Sequence, residues 1–301
     1  MNKLSFTIAN VERETGLSKD LLRMWERRYG FPAPERDANG DRVYPAEQVE
    51  RLRQIKRLID QGHRPGKLVT APPEQLAALA VPPESGREAE RTMAPFSAFL
   101  DELRSHDALA FQQRLQHALA RQGLAAFVRD TVAPLVANVG QAWESGRIAV
   151  FEEHLFTELT KRVLRQAVGG IAAGNAPPRV LLTTVPGEPH ELGLLMVEAL
   201  FTLEGAQCIP LGVQMPLTEI ASAATAHRAD IVALSFSSAF PARQIPAQLV
   251  QLRAMLPEPT ALWVGGSGAA NIDGPAGVTL LRSLDEGLAA VAAWRDFPER
   301  I

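Results

Sequence analysis

The spacing of apolar residues changes character twice along the chain. Residues 1–70 are polar and arginine-rich, with brief apolar stretches that suit small helices. From about Pro95 to Gly174 apolar residues recur at helical intervals, as at Phe96, Phe99, Leu100 and Leu103, among Ala, Leu, Gln and Arg. Four helices fit this length, with one internal proline, Pro134, and a small bundle is expected. Beyond Pro178, short apolar runs alternate with longer amphipathic ones. Arg179–Thr184, Gln207–Leu211, Ile231–Ser235, Ala261–Val264 and Val278–Leu280 read as strands, and Glu191–Glu204, Leu217–His227, Pro246–Leu256 and Ser283–Asp296 as helices. That alternation predicts a parallel sheet with helices on both faces. Proline-rich breaks at Ala71-Pro-Pro, Val81-Pro-Pro-Glu-Ser-Gly86 and Gly174-Asn-Ala-Pro-Pro178 set the expected limits. These are a domain over 1–70, a linker over 71–94 with one short helical piece, a bundle over 95–174, and an α/β domain over 179–301.

Composition narrows the class. The 301 residues are 46% hydrophobic and 22% charged, an ordinary globular balance. No stretch approaches the ~18 consecutive apolar residues of a membrane span, and Met1–Phe6 lacks the apolar core of a secretion signal. A cytoplasmic chain with no membrane partner is expected. One cysteine, Cys208, excludes an internal disulfide and a cysteine-based zinc site. The net charge of −3 hides an asymmetry: residues 1–70 carry 14 Lys/Arg against 10 Asp/Glu, the remainder 17 against 24. A basic end on an acidic body points toward nucleic acid.

The basic end has the parts for reading DNA. Phe6 to Gly16 reads as one helix closed by glycine, and Ser18 is placed to cap a second helix from Lys19 to about Arg28. That second helix offers Lys19, Arg23, Arg27 and Arg28 to phosphates and base edges. Asn39-Gly40 centres a hairpin over 36–44 that would present Arg36, Arg42 and Tyr44 as a wing, followed by an amphipathic helix over 46–61. The stretches Thr7-Ile-Ala-Asn-Val, Leu22-Arg-Met-Trp-Glu-Arg-Arg-Tyr-Gly30 and Asp41-Arg-Val-Tyr44 resemble the winged helix-turn-helix domain of the MerR family of transcriptional regulators. The resemblance implies that double-stranded operator DNA is a partner; Trp25, taken by itself, reads as an ordinary core aromatic. Many MerR relatives continue into a long dimerising coiled coil; here a proline-rich linker follows, so self-association is expected from elsewhere in the chain.

The α/β segment carries a second pattern. The loop after its first predicted strand holds Glu188 and His190, where open α/β sheets place ligands. A neutral imidazole is a good transition-metal ligand, and a carboxylate on its other nitrogen fixes the tautomer. Glu188-x-His190-x-x-Gly193, then Ser235-Phe-Ser237 beginning 42 positions after Gly193, then Gly265-Gly266 beginning 28 after Ser237, resemble the motifs of cobalamin-binding domains. Ser237 stands where leucine is common. The resemblance implies a Rossmann-like domain in which His190 ligates cobalt from below. The benzimidazole tail of the cofactor then passes Ser235 and the glycines.

Within the bundle, Trp143 precedes Glu153-His154 by nine intervening residues. Directly ahead of a cobalamin domain this spacing resembles the cap of the CarA/CarH/LitR photoreceptor regulators. There it implies that Trp143 packs on a 5′-deoxyadenosyl group, with Glu153 and His154 as its polar neighbours. Light-responsive members commonly carry histidine directly after that tryptophan; here Glu144 follows, and a carboxylate is the poorer partner for low-spin cobalt.

The expectation is a multidomain α and α/β chain: a winged helix-turn-helix, a four-helix bundle and a Rossmann-like cobalamin-binding domain. Its function would be a non-enzymatic transcriptional repressor in which adenosylcobalamin favours a homodimer or homotetramer on DNA and light releases it. Two alternatives use the same residues: a light-blind cobalamin-binding regulator, kept open by Glu144, and a corrinoid carrier for a methyltransferase, opposed by the basic N-terminal domain.

Overall fold

The computed structural model describes residues 5–37, 40–60, 63–79, 96–171 and 176–296. The chain forms two units, one spanning Met1–Ala94 and one running from Pro95 apart from the turn Glu144–Arg147; each is taken by itself.

The first unit begins with strand β1 (Ser5–Thr7), followed by α1 (Ile8–Thr15) and α2 (Lys19–Tyr29). Phe6 and Thr7 therefore lie in a strand rather than in the first helix, because β1 pairs antiparallel with β3 (Arg42–Pro45). Thr7 then caps α1 by accepting the Asn10 N–H, and Ser18 caps α2 by accepting that of Leu21. Gly16 and Gly30, at φ 68° and 69°, end the two helices in a left-handed conformation that a side chain would strain. β2 (Glu35–Arg36) completes the wing against β3; Asn39 of the expected turn lies outside the described residues.

Helix α3 (Ala46–Asp60) brings Val49, Leu52, Ile55 and Leu58 against Val11, Leu17, Leu22 and Trp25. α4 (Pro65–Val69) and α5 (Pro73–Leu79) close this core, in which Ala71 and Leu76 are buried. The expected boundary at residue 70 is thus too early. Apolar contacts of Ala71 and Leu76 carry the domain through Leu79, and the rest of the expected linker lies outside the described residues.

The second unit opens with four helical stretches. These are α6 (Ser97–Arg104), α7 (Ala108–Gln122), a run of α8 (Leu124–Ala126), a π-helical turn (Phe127–Val132) and α9 (Ala133–Glu144), and finally α10 (Val150–Gly169). The π turn comes just before Pro134, whose ring nitrogen cannot donate to the preceding turn. Phe111 packs edge-on to both Phe99 and Phe156 at the centre of the bundle.

A parallel sheet follows: β4 (Ala176–Thr183), β5 (Ala206–Gly212), β6 (Ile231–Ser235), β7 (Ala261–Gly265) and β8 (Val278–Leu280), in the order β5-β4-β6-β7-β8. β4 starts three residues earlier than predicted. Pro177 and Pro178 are tolerated because the ladder to β6 begins only at Val180. Helices α11 (Leu192–Leu203), α12 (Leu217–Ala226), α13 (Ile245–Met255) and α14 (Leu284–Arg295) connect or flank these strands. The apolar sides of α12 and α13, among them Ile220, Leu249 and Leu252, bury Leu181, Val232, Leu234 and Leu262 of the sheet in one core. In this order the connection reverses direction between β4 and β6, and the crevice outside the carboxyl ends of those strands is where such sheets bind ligands.

Candidate functional site

That crevice holds the loop from Thr184 to Glu191. Val185 is buried, and the Glu188 N–H donates to its carbonyl, so the loop turns back on itself and drives the Glu188 side chain inward. Glu188 is fully buried, which for an unpaired carboxylate would cost several kcal/mol. It is paired throughout. Oε1 accepts from His190 Nδ1 at 2.6 Å and from the His190 backbone N–H at 3.0 Å. Oε2 accepts from the Ser237 backbone N–H at 2.7 Å and the Ser237 hydroxyl at 2.9 Å. These donors hold the Glu188 carboxyl below its usual range even though burial pushes it upward.

The same contacts decide the imidazole. With Nδ1 donating to Glu188, the ring turns Nε2 outward, and the side chain is about half exposed (53%). The hydrogen bond from Glu188 raises the His190 pKa against the opposing effect of burial, and the charges of Glu188 and Glu153 add to it. Glu153 lies on α10, so that contribution comes from the bundle. Glu153 also accepts from the Thr157 hydroxyl at 2.9 Å. His154 is largely exposed, with Nδ1 3.0 Å from the Val150 carbonyl and 2.9 Å from Glu153. Trp143 is half-buried near the end of α9, before the turn that starts α10; the Glu144 side chain lies outside what the structure describes.

The small residues of the pattern make close backbone approaches. A Cβ on Gly193 would stand 2.5 Å from the Ser235 hydroxyl. Gly266 has φ +93°, and a Cβ there would meet the Phe236 carbonyl at 2.3 Å. Gly265 accepts the Phe236 N–H at 3.0 Å, so the loops after β6 and β7 are joined. Sequence reasoning missed Gly268, where a Cβ would sit 2.1 Å from the Ser237 carbonyl; its N–H donates to Phe236. The run Gly265-Gly-Ser-Gly268 was the available signal. Thr184 was also missed. Its hydroxyl donates to the Glu188 carbonyl and accepts the Gln214 N–H at 2.8 Å, tying the ligand loop to the end of β5.

In the first unit, Lys19, Arg23 and Arg27 fall at i, i+4 and i+8 on α2, forming one basic ridge. Lys19 pairs with Glu12 at 3.3 Å, Arg23 with Asp20 at 3.6 Å, and wing residue Arg42 with Glu26 at 3.6 Å. These are solvent-screened pairs of the kind worth ~0–1 kcal/mol, so they yield readily to a phosphate. Arg27 is exposed, Arg28 lies over the Tyr29 ring, and Arg36 donates to the Gly40 carbonyl. Tyr44 is a correction: it is fully buried, not displayed on the wing. Strand alternation turns it inward between exposed Arg42 and the start of α3, where burial raises its phenol pKa and its hydroxyl has no hydrogen-bond partner. Trp25 is in the core as expected.

A basic helix-turn-helix with a wing, followed by a helical bundle and an α/β domain with an outward imidazole, defines a DNA-binding regulator fused to a ligand-binding module. Comparisons with known proteins give the class its name. Residues 6–69 match the MerR HTH family of regulatory proteins, and residues 96–167 and 178–272 each match a B12 binding domain. The chain is 33% identical over 269 residues to the HTH-type transcriptional repressor CarA of Myxococcus xanthus, covering 88% of each chain. It is 30% identical over 266 residues to CarH of the same organism, covering 86% of this chain and 88% of that one. The chain belongs to this family of MerR-type transcriptional regulators with B12-binding domains. Its fold also resembles the monomethylamine corrinoid protein of Methanosarcina barkeri, with TM-score 0.52 and 14% identity over 65% of this chain and 96% of that one. No helix among the described residues is long and apolar enough to cross a membrane.

Proposed function

We propose that the protein is an adenosylcobalamin-dependent, light-responsive transcriptional repressor whose cofactor state controls self-association and, through it, operator binding. The observation that carries the reading is His190, with Nδ1 held by the buried Glu188 and its ring half exposed in the loop that follows β4. That donor set suits cobalamin. The macrocycle already holds its cobalt, so the chain need add only one axial nitrogen. The described residues contain no group of three His, Cys, Asp or Glu suited to a bare ion.

Bound adenosylcobalamin would supply a light-sensitive cobalt–carbon bond above the ring. The chain's part is to hold the two faces. Glu188 keeps His190 in the tautomer that ligates, and Ser237 keeps Glu188 in place. Trp143, Glu153 and His154 would cover the adenosyl side. Emptying that side removes contacts that favour the assembled form, and cofactor binding drives assembly only as far as it prefers that form. Several DNA-binding domains joined in one particle gain avidity that separate ones lose. The repressor designation of CarA and CarH supports the direction of control.

Size-exclusion chromatography with visible spectra, in the dark and after green light, tests this. A larger dark particle that shrinks on illumination and releases operator DNA is expected. Glu144 in place of histidine after Trp143 favours a photoproduct without a second imidazole on cobalt. Identical elution in dark and light with adenosylcobalamin bound would refute the light response and leave a light-blind cobalamin-binding regulator.

A further inference from the structure

His190 is held from two sides, and only one belongs to the Glu188 network. The next residue, Glu191, occupies the N-cap position of α11, where a carboxylate would ordinarily accept the helix's unpaired N–H groups. Its side chain makes no capping hydrogen bond. It reaches instead to the bundle, where Oε1 pairs with Arg165 and Oε2 with Lys161 Nζ at 3.1 Å. Lys161 is itself steered by Glu158 at 2.8 Å. Lys161 and Glu191 are only 18% and 17% exposed, so solvent screens this pair far less than the pairs on α2.

Glu153, Thr157, Lys161 and Arg165 stand at i, i+4, i+8 and i+12, a single ridge of α10 about 18 Å long at 1.5 Å per residue. The Lys161–Arg165 end of this ridge grips Glu191, the residue that follows His190.

We propose that Glu191 is a positioning residue for His190: its ion pairs to Lys161 and Arg165 fix the histidine backbone to the cap helix. The ligand ring is thereby suspended between the sheet, through Glu188 and Ser237, and the bundle, through Glu191. A displacement of α10 then reaches the lower face as well as the upper one. This inference rests on His190 being the cobalt ligand.

The test is a double-mutant cycle on the full chain, with Glu191→Gln, the pair Lys161→Gln/Arg165→Gln, and the combination, beside His190→Ala. In the cofactor-free proteins, hydrogen exchange of amides 190–192 is expected to rise about tenfold for Glu191→Gln and equally for the lysine–arginine pair. The combination should add nothing further, since all three remove one interaction. After loading with adenosylcobalamin, the same variants should lose about tenfold in affinity, with a smaller fraction showing the histidine-ligated spectrum. Exchange and affinity at wild-type levels in Glu191→Gln, with His190→Ala defective, would overturn the proposal and leave His190 as ligand. Additive effects would overturn it too, since they show independent local damage. An unchanged spectrum and affinity in His190→Ala would remove the ligand assignment, and the positioning role with it.

Discussion

Replacing Glu188 with Gln should damage the domain before any cofactor arrives. Sequence reasoning makes Glu188 the carboxylate that fixes the His190 tautomer, acting through the imidazole. The structure adds Ser237 at the end of the neighbouring strand, whose N–H approaches Oε2 to 2.7 Å. A glutamine side chain has one acceptor oxygen and one NH2. Whichever way it turns, a donor is left facing a donor, either at Ser237 or at His190. An unsatisfied buried donor costs ~1–3 kcal/mol, and loss of the charge-assisted bond adds to that, while relief of a buried charge gives part of it back. A net loss of about 2 kcal/mol corresponds to roughly 4–8 °C in melting temperature for a unit of about 200 residues. His190→Ala removes one donor to the same carboxylate but leaves the Ser237 donors and the residue 190 backbone N–H in place, so it should shift the melting temperature less.

The pH dependence has a definite sign. The Glu188 pKa is lowered in the folded state, so its contribution is present above the ordinary carboxylate range and is lost as pH falls through the folded value. The His190 pKa is raised, so its contribution is full below the ordinary imidazole range and declines as pH rises through the folded value. Both shifts describe one pair and count once. The gap between wild type and Glu188→Gln should be widest between those limits and should close in acid. It should narrow without vanishing at high pH, where neutral imidazole still donates from Nδ1. Thermal denaturation of the cofactor-free proteins across pH measures this, with visible spectra of the loaded forms alongside. An unchanged melting temperature with a lost histidine-ligated spectrum would show that Glu188 acts through the imidazole alone, and the argument from Ser237 would be wrong.

Gly268→Ala should be strongly destabilising, since its Cβ would meet the Ser237 backbone carbonyl at 2.1 Å; Gly193→Ala meets a hydroxyl that can rotate, and chemical denaturation should rank the two accordingly. Arg23→Ala or Arg42→Ala should weaken operator binding and flatten its salt dependence, whereas Tyr44→Phe should leave DNA affinity unchanged and stability equal or slightly higher, both read by gel shift and melting. Burial pushes the Cys208 thiol up to about 11 from an ordinary 9, so at pH 8 its thiolate fraction is about 100-fold smaller than an exposed thiol's. Alkylation followed by mass spectrometry should be slow on the native protein and fast in denaturant; rapid native labelling would contradict that burial.

How much of this was legible in the residues differs from part to part. Buried parallel strands are continuous apolar runs, so Ile231–Ser235 and Ala261–Gly265 show themselves without a partner in view. Caps announce α1 and α2, because Gly16, Ser18 and Gly30 have local backbone reasons to be there. β1 is only three residues long and owes its existence to pairing with β3, so no local pattern marks it. Tyr44 looks like a wing residue by its neighbours, Arg42 above all, and is turned into the core by strand alternation in a sheet whose register the sequence does not display. Glu191 reads in the sequence as the first residue of a helix and is claimed by a helix more than twenty residues away.

The sequence by itself therefore determined the division of labour: a basic reading head, a bundle, and a sheet with a histidine on its first loop. Periodicity, caps and motif spacing are local quantities, and each is set by residues a few positions apart. Only the tertiary structure decided which groups meet. The order β5-β4-β6 brings Ser237 beneath Glu188, 49 positions away in the chain, and so sets the tautomer of His190. Packing of α10 on the same loop brings Lys161 and Arg165 onto Glu191. Partnering of a buried charge depends on through-space distance and dielectric, and neither is encoded by spacing along the chain.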